Sequence, residues 1–337
     1  MSRVALSEKD IKALTDFLGS VSKDPLEFVR LAFPWGEPNT QLEDKEGPDI
    51  WQIELLNNIK EGLKTPDQVI REAVASGHGI GKSAMVAWII LWAISTHEDT
   101  KGVVTANTDT QLKTKTWAEL AKWYYLFIAK DLFTYSATSI YSNQEGHEKT
   151  WRIDAIPWND SNPAAFAGLH NQGKRTLVIF DEASEISDII WEVAEGAMTD
   201  ADTEIIWCVF GNPTQSSGRF HACFHKNRSL WNRKQIDSRT VKISNKAELE
   251  GWRVQYGEDS DFFKVRVKGE FPSASEKQFI STALVDEARR RTLHEKQFRF
   301  APVIIACDPA WTGGDETVIY LRQGLFTKKL FATTKND

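Results

Sequence analysis

Cysteine is scarce in this chain. Cys208, Cys223 and Cys307 are its only three among 337 residues, too few for a disulfide framework and suited to a reducing cytosol. Long apolar runs are missing as well: residues 84–94 are apolar but fall far short of the roughly 20 residues that a bilayer-spanning helix needs. No excess of positive charge is present. The net charge of −6 excludes a globally basic nucleic-acid binder, although a protein that grips nucleic acid transiently needs only a local positive surface. The opening residues, with Glu8, Lys9 and Asp10 and no apolar core, do not read as a signal peptide. Internal repeats and low-complexity tracts are also lacking. A soluble intracellular protein is the expectation. The segment His221-Ala222-Cys223-Phe224-His225 has no partner cluster with the paired spacing of structural zinc, so these residues are read as packing and surface residues.

What is present is an alternation of strands and helices. Residues 1–35 read as amphipathic helix and 37–48 as a polar loop, and 50–59 resume helical periodicity. Residues 68–75 are β-prone. Residues 102–106 form a short strand, followed by a helix over 108–129 rich in Trp and Tyr. Residues 150–156 alternate like a strand. Residues 175–180 and 204–210 read as strands whose cores, 177–180 and 205–210, are continuous apolar runs, as in strands buried on both faces of a parallel sheet. The pattern predicts a doubly wound α/β domain. From 216 to 272 the chain turns polar and basic, with no clear sheet. A charged helix with Arg289-Arg290-Arg291 is expected over 281–295, and a fresh strand starts at 301.

Between the strand at 68–75 and the apolar helix lies Ser76-Gly77-His78-Gly79-Ile80-Gly81-Lys82-Ser83. It matches the phosphate-binding pattern G-x-x-x-x-G-K-[ST] except that Ser76 stands at the first glycine. Gly81 lets the backbone approach a phosphate, Lys82 supplies a cation and Ser83 offers Mg²⁺ a hydroxyl. Strand, loop and helix together aim the loop amides at a phosphate from a helix N-terminus. The fold expected is therefore a P-loop NTPase of the RecA/ASCE kind.

Asp181 and Glu182 follow the apolar strand directly. In an ATPase the aspartate there holds Mg²⁺ together with Ser83, and the glutamate polarises the attacking water, typically worth about 10²–10⁴ in rate. Gly211-Asn212-Pro213-Thr214 closes the next strand; Asn212 is read either as a γ-phosphate or water contact or as a turn residue. Gln52, beside Trp51, is either a reader of the adenine edge or a glutamine on a helix. A second cation is needed near the γ-phosphate, with Arg152, Arg175 and Arg219 as unranked candidates. Asp308, at the end of the strand from 301, precedes a Gly turn and a second strand over 316–321, which is how RNase H-like nucleases start. Their two-metal chemistry needs several converging carboxylates.

These residues together resemble the large terminase subunit of tailed phages, the DNA-packaging motor. The likeness runs from Asp24-Pro25-Leu26-Glu27-Phe28-Val29 and Phe33-Pro34-Trp35-Gly36 through Gly47-Pro48-Asp49-Ile50-Trp51-Gln52. It takes in the deviant phosphate loop, Val104-Thr105-Ala106-Asn107-Thr108, Ile179-Phe180-Asp181-Glu182-Ala183 and Gly211-Asn212-Pro213-Thr214, and ends at Ala306-Cys307-Asp308-Pro309-Ala310. The resemblance implies four regions: an N-terminal helical region with the adenine segment (1–60), a P-loop ATPase core with a lid subdomain (61–272), a linker (273–300) and the start of an incomplete RNase H-like nuclease domain (301–337). It implies ATP with Mg²⁺ as cofactor, and Mg²⁺ or Mn²⁺ at the nuclease site. Gln52 would touch adenine, the loop from Ser76 to Ser83 would hold the phosphates, and Ser83 and Asp181 would serve Mg²⁺. Glu182 would be the catalytic carboxylate, Asn212 would lie in the coupling motif, and Asp308 would be the first nuclease ligand. Double-stranded DNA, a small terminase subunit, a portal protein and a homo-oligomeric ring on the prohead are the implied partners, in the cytoplasm of a bacterial host and with no membrane. His78 stands where some terminases carry a loop arginine. The later nuclease carboxylates are absent, so the chain is expected to hydrolyse ATP without cutting DNA. A helicase-like remodeller (residues 104–108 followed by Gln111) and a nucleotide-gated assembly subunit are the alternatives.

Overall fold

The computed structural model describes residues 7–65, 68–106, 108–158, 169–196, 198–272, 288, 290–310 and 316–334. Two compact units divide the chain, Met1–Phe279 and Ile280–Asp337. The first opens with α1 (Glu8–Ser20), started by a capping box between Ser7 and Asp10, and α2 (Pro25–Leu31), started by Asp24 with Pro25 in its first turn. Then come α3 (Ile50–Gly62), β1 (Ile70–Ser76) and α4 (Lys82–Ser95). Every residue of α4 from Met85 to Ser95 is buried, which is why its sequence is apolar on all sides. The chain continues with β2 (Lys101–Thr105), α5 (Asp109–Gln111), a π-helical turn (Leu112–Trp117), α6 (Ala118–Leu126), β3 (Phe133–Tyr135), β4 (Ser139–Ser142) and β5 (Arg152–Ala155). After these are β6 (Arg175–Phe180), α7 (Asp188–Gly196), β7 (Glu204–Gly211), α8 (Gly218–Phe224), β8 (Asn232–Ile236), α9 (Lys246–Tyr256), α10 (Asp261–Phe263) and a second π-helical turn (Lys264–Lys268).

Eight strands form one sheet in the order β3-β4-β5-β2-β6-β7-β1-β8. Strands β5 to β8 in that order run parallel, and only the β3–β4 end is antiparallel. Alternation along β6 sends Leu177 and Ile179 into the core under α1–α4 and α6, and Val178 and Phe180 into the core under α7 and α8. Both faces are covered, as its unbroken apolar run requires. The architecture is the doubly wound α/β fold, with β7 standing between the strand before the phosphate loop and the strand before Asp181.

Two expectations are corrected. The polar stretch 216–272 does contain sheet: β8 pairs in parallel with β1, from Glu72↔Asn232 to Ser76↔Ile236. Its residues are mostly polar and solvent-facing at the sheet edge, so no hydrophobic alternation announced it. The β3–β4 hairpin was likewise unannounced. The helix expected over 108–129 is interrupted by the π-helical turn. The charged helix expected over 281–295 falls largely outside the described residues.

In the second unit, β9 (Val303–Asp308), β10 (Thr317–Gln323) and β11 (Phe326–Thr333) form an antiparallel sheet in the order β11-β10-β9. All six residues of β9 are exposed.

Candidate active site

Strands β1, β6 and β7 end side by side, and the predicted residues leave from those ends. The segment after β1 is pinned from two sides. From the β8 side, Gly77 N donates to the Ile236 carbonyl at 3.1 Å, His78 N to the Arg266 carbonyl at 2.8 Å, and Ser238 Oγ to the His78 carbonyl at 2.7 Å. From α3, Trp51 Nε1 donates to the Ile80 carbonyl at 3.2 Å and Gln52 Nε2 to the Gly81 carbonyl at 3.3 Å. Gln52 Oε1 accepts from Asp49 N at 2.7 Å, so both ends of this amide are engaged by backbone.

The glycines are where the geometry demands them. A Cβ on Gly77 would stand 2.3 Å from Ser238 Oγ and 2.4 Å from the Val267 carbonyl. Gly81 has φ +85° at the start of α4, a left-handed conformation that costs glycine nothing. Ser76 is different. It is the last residue of β1, is fully buried, and is not among the described residues with positive φ, so its position places no demand for glycine.

Lys82 Nζ donates to Asn212 Oδ1 at 3.1 Å and lies 4.0 Å from Glu182 Oε1. Asn212 Nδ2 donates to the Ser76 carbonyl at 2.6 Å. Glu182 sits in the left-handed region at φ 53°, ψ 46°, strain of a kind that persists where surrounding structure enforces it. Asp181 is buried, with Oδ2 accepting from Thr116 Oγ1 at 2.6 Å and Oδ1 accepting from Glu182 N at 3.1 Å. Burial, and then the neighbouring Glu182 charge, push its carboxyl above the usual range, against the opposing effects of Thr116 and Lys82.

Beside these groups opens a cavity of about 740 Å³. Of the predicted residues, Gln52, His78, Gly79, Ile80, Gly81, Lys82, Ser83, Glu182 and Asn212 line it. Ser76 and Gly77 instead lie at the root of the loop. Trp35, Trp88 and Trp123, mutually packed with ring centroids 5.0–5.7 Å apart, also line it; no sequence spacing linked them to the loop. Asp308 belongs to the second unit, exposed at the end of β9 opposite Val318, and among the described residues it is not gathered with two further metal-ligand side chains.

None of the three candidate arginines approaches the loop. Arg152 binds Asp154, and Arg219 binds Glu192 and Glu195. Arg175 is fully buried at the start of β6, bonded to Glu204 and stacked 4.2 Å from the Trp92 ring centroid. The arginine at the loop is Arg266, whose Nη1 is 3.1 Å from His78 Nε2. Burial, then the charges of Lys82 and Arg266, lower the His78 pKa, leaving a neutral ring whose Nε2 accepts from the guanidinium. Residue 266 lies in the stretch read as polar and basic, within a basic segment, Lys264–Lys268, that the sequence offers as a phosphate contact but does not tie to the loop.

No family model matches the chain. A probable terminase large subunit of Enterobacteria phage P7 is 26% identical over 234 residues, covering 65% of this chain and 46% of that protein. The chain thus spans about half the length of this curated relative. Among solved structures, the large terminase of a thermophilic bacteriophage is 12% identical with a TM-score of 0.49, over 81% of this chain and 64% of that one. The ATPase domain of the Thermus phage P74-26 large terminase is 13% identical with a TM-score of 0.47, over 66% and 94% respectively. With its motifs in order along the chain and meeting at the ends of β1, β6 and β7, the chain is similar in sequence, over 65% of its length, to a probable phage terminase large subunit.

Proposed function

We propose that the chain is the ATP-hydrolysing subunit of a motor that drives double-stranded viral DNA into a prohead. The observation that carries this reading is the meeting of Lys82, Glu182 and Asn212 at the ends of three strands, around a cavity floored by a phosphate-type loop. The loop amides and Lys82 bind the β- and γ-phosphates, and Gln52 holds the loop on the adenine side. Ser83 and Asp181 offer a hydroxyl and a carboxylate, the hard oxygen donors that Mg²⁺ takes, and the two hydrogen bonds to Asp181 fix its carboxylate for that task. Held by these two groups, Mg²⁺ would supply positive charge against the phosphates. Glu182 accepts the proton of the attacking water, whose oxygen bonds to the γ-phosphorus as the bond to the leaving ADP oxygen breaks. Asn212 joins phosphate loop to β7, so loss of the γ-phosphate is felt at the Gly211–Thr214 turn.

The same reading assigns 1–60 to an adenine-side helical region, 61–272 to the ATPase core and lid, 273–300 to a linker, and 301–337 to the start of a nuclease domain with Asp308 its first Mg²⁺ or Mn²⁺ ligand. A small subunit, a portal and further copies in a ring are the partners, in the bacterial cytoplasm. Among the described residues no helix is long and apolar enough to cross a membrane.

The test is ATP turnover by the purified chain, with and without duplex DNA, beside Glu182→Gln. Turnover that falls by about 10²–10⁴ in the variant while ATP still binds supports the reading. Equal turnover in both proteins refutes it.

A further inference from the structure

We propose that Thr116 is a positioning residue for the Asp181 carboxylate, and that the π-helical turn Leu112–Trp117 is the device that presents it. The proposal rests on Asp181 serving the nucleotide's metal, as read above.

Several helical serines and threonines among the described residues turn their hydroxyls back onto their own helix. Thr15, Ser95 and Thr114 donate to the carbonyls four residues earlier, those of Ile11, Leu91 and Thr110, at 2.6–2.8 Å. Such back-bonding is the ordinary fate of a hydroxyl in a helix. Thr116 departs from it. Its Oγ1 reaches 65 residues along the chain to Asp181 Oδ2, at 2.6 Å, and both groups are buried. That length is typical of a hydroxyl donating to a carboxylate.

The departure falls inside the π-helical turn. A π turn inserts one residue into a helix, shifting the side chains that follow around the axis, and such turns concentrate at functional sites. Here the insertion buries Thr116 and Trp117 next to each other. Trp117 Nε1 donates to the Ser136 carbonyl at 2.8 Å, anchoring the turn from its other side. One oxygen of Asp181 is thus set by Thr116 and the other by Glu182 N. The helix that continues the turn brings Glu119, Lys122 and Trp123 to the wall of the nucleotide cavity. Thr116 therefore links this wall to the carboxylate. Without the Thr116 hydroxyl, Asp181 would be held at one oxygen only, by Glu182 N.

The experiment compares the full chain with Thr116→Val, which keeps the shape and removes the hydroxyl, and Thr116→Ser, which keeps the hydroxyl. Electron paramagnetic resonance reads the affinity for Mn²⁺ in the presence of ADP. Fluorescent-nucleotide binding in EDTA reads the loop alone, and thermal unfolding reads stability. Thr116→Val is expected to weaken Mn²⁺ by about 10–100-fold, the usual cost of losing an outer-shell partner, with metal-free nucleotide binding retained. Thr116→Ser is expected to restore the Mn²⁺ affinity. Unchanged Mn²⁺ affinity in Thr116→Val, equal losses in the Val and Ser variants, or a matching loss of metal-free binding would each overturn the proposal. Should the Val variant not fold, Thr116→Ala removes the same hydroxyl and is judged by the same outcomes. Asp181→Asn separates the two readings. If wild type shows no Mn²⁺ binding that Asp181→Asn abolishes, the assignment of Asp181 itself falls. If it does and Thr116→Val matches wild type, only the role of Thr116 falls.

Discussion

Asn212 joins the two ends of the phosphate loop: its Oδ1 accepts from Lys82 Nζ at 3.1 Å and its Nδ2 donates to the Ser76 carbonyl at 2.6 Å. One amide at the end of β7 therefore holds the loop's cation and its root together. Both polarities of the amide are needed, which a turn residue facing solvent would not require.

Asn212→Ala frees Lys82 and strands a buried carbonyl. An unsatisfied buried acceptor costs about 1–3 kcal/mol, and urea unfolding should show a loss of that order. Turnover should fall with it. Full stability in this variant would mean that the Ser76 carbonyl finds another donor.

Glu182 sits in a strained backbone, at φ 53°. Left-handed backbone costs an ordinary residue about 1–2 kcal/mol, and asparagine less. Glu182→Asn should therefore unfold at the same or a higher temperature while turnover drops by about 10²–10⁴. A variant clearly less stable than wild type would show that the Glu182 side chain supports the fold.

Glu72 predicts a pH dependence of stability. It is buried in β1, with Asn232 Nδ2 at 2.7 Å from Oε1 and Asn58 Nδ2 at 3.3 Å from Oε2. Burial raises its pKa from 4.5 to about 8 despite these bonds. The folded protein keeps this proton up to about pH 8, whereas the unfolded chain releases it near 4.5. Its contribution is thus fully present below pH 4.5 and is lost as pH rises through 8. Within that window the slope is about 1.4 kcal/mol per pH unit. Unfolding measured at pH 5, 7 and 9 should show wild type losing stability, and Glu72→Gln should lose less.

Arg175 lies at the opposite end of β6 from Asp181, about 20 Å away at the rise of a strand. Its buried guanidinium also donates to Thr96 Oγ1 at 2.7 Å and to the Ser22 carbonyl at 2.9 Å. Removing one partner of a buried ion pair costs about 3–5 kcal/mol, so Arg175→Met should unfold far more readily. Arg175→Lys should rescue little, because one ammonium cannot replace the planar fork. A selective loss of turnover in a fully stable Arg175→Met would contradict this structural role.

The sequence announced what its own chemistry required. The apolar run 177–180 falls in β6, which is buried on both faces. Gly81-Lys82-Ser83 and Asp181-Glu182 were legible because residue type and strand end coincide. Edge strand β8 was hidden by its solvent-facing polar residues, and the π-helical turn by a periodicity shift too small to separate from a regular helix. The contact of Arg266 with His78 bridges 188 residues; nothing local encodes such a distance.

Position 76 yields the sharpest contrast with the residue beside it. Ser76 departs from the phosphate-loop pattern, yet its hydroxyl donates only to the Gly77 carbonyl, at 2.9 Å, and its backbone is extended. Restoring the pattern with Ser76→Gly should therefore leave nucleotide affinity unchanged, at the cost of about 0.5–1 kcal/mol for glycine in a strand. Gly77→Ala should do the reverse of a mild change. Its Cβ would meet the Val267 carbonyl at 2.4 Å and the Arg266 carbonyl at 2.7 Å, both backbone atoms that have no rotamer by which to retreat. The segment carrying Arg266 would have to move off the loop, breaking the bond from His78 N to the Arg266 carbonyl. Nucleotide titration of the two variants decides the matter: affinity retained in Ser76→Gly and lost in Gly77→Ala is the expected pair, and the opposite pair would place the loop's demand for glycine at the pattern's first position after all.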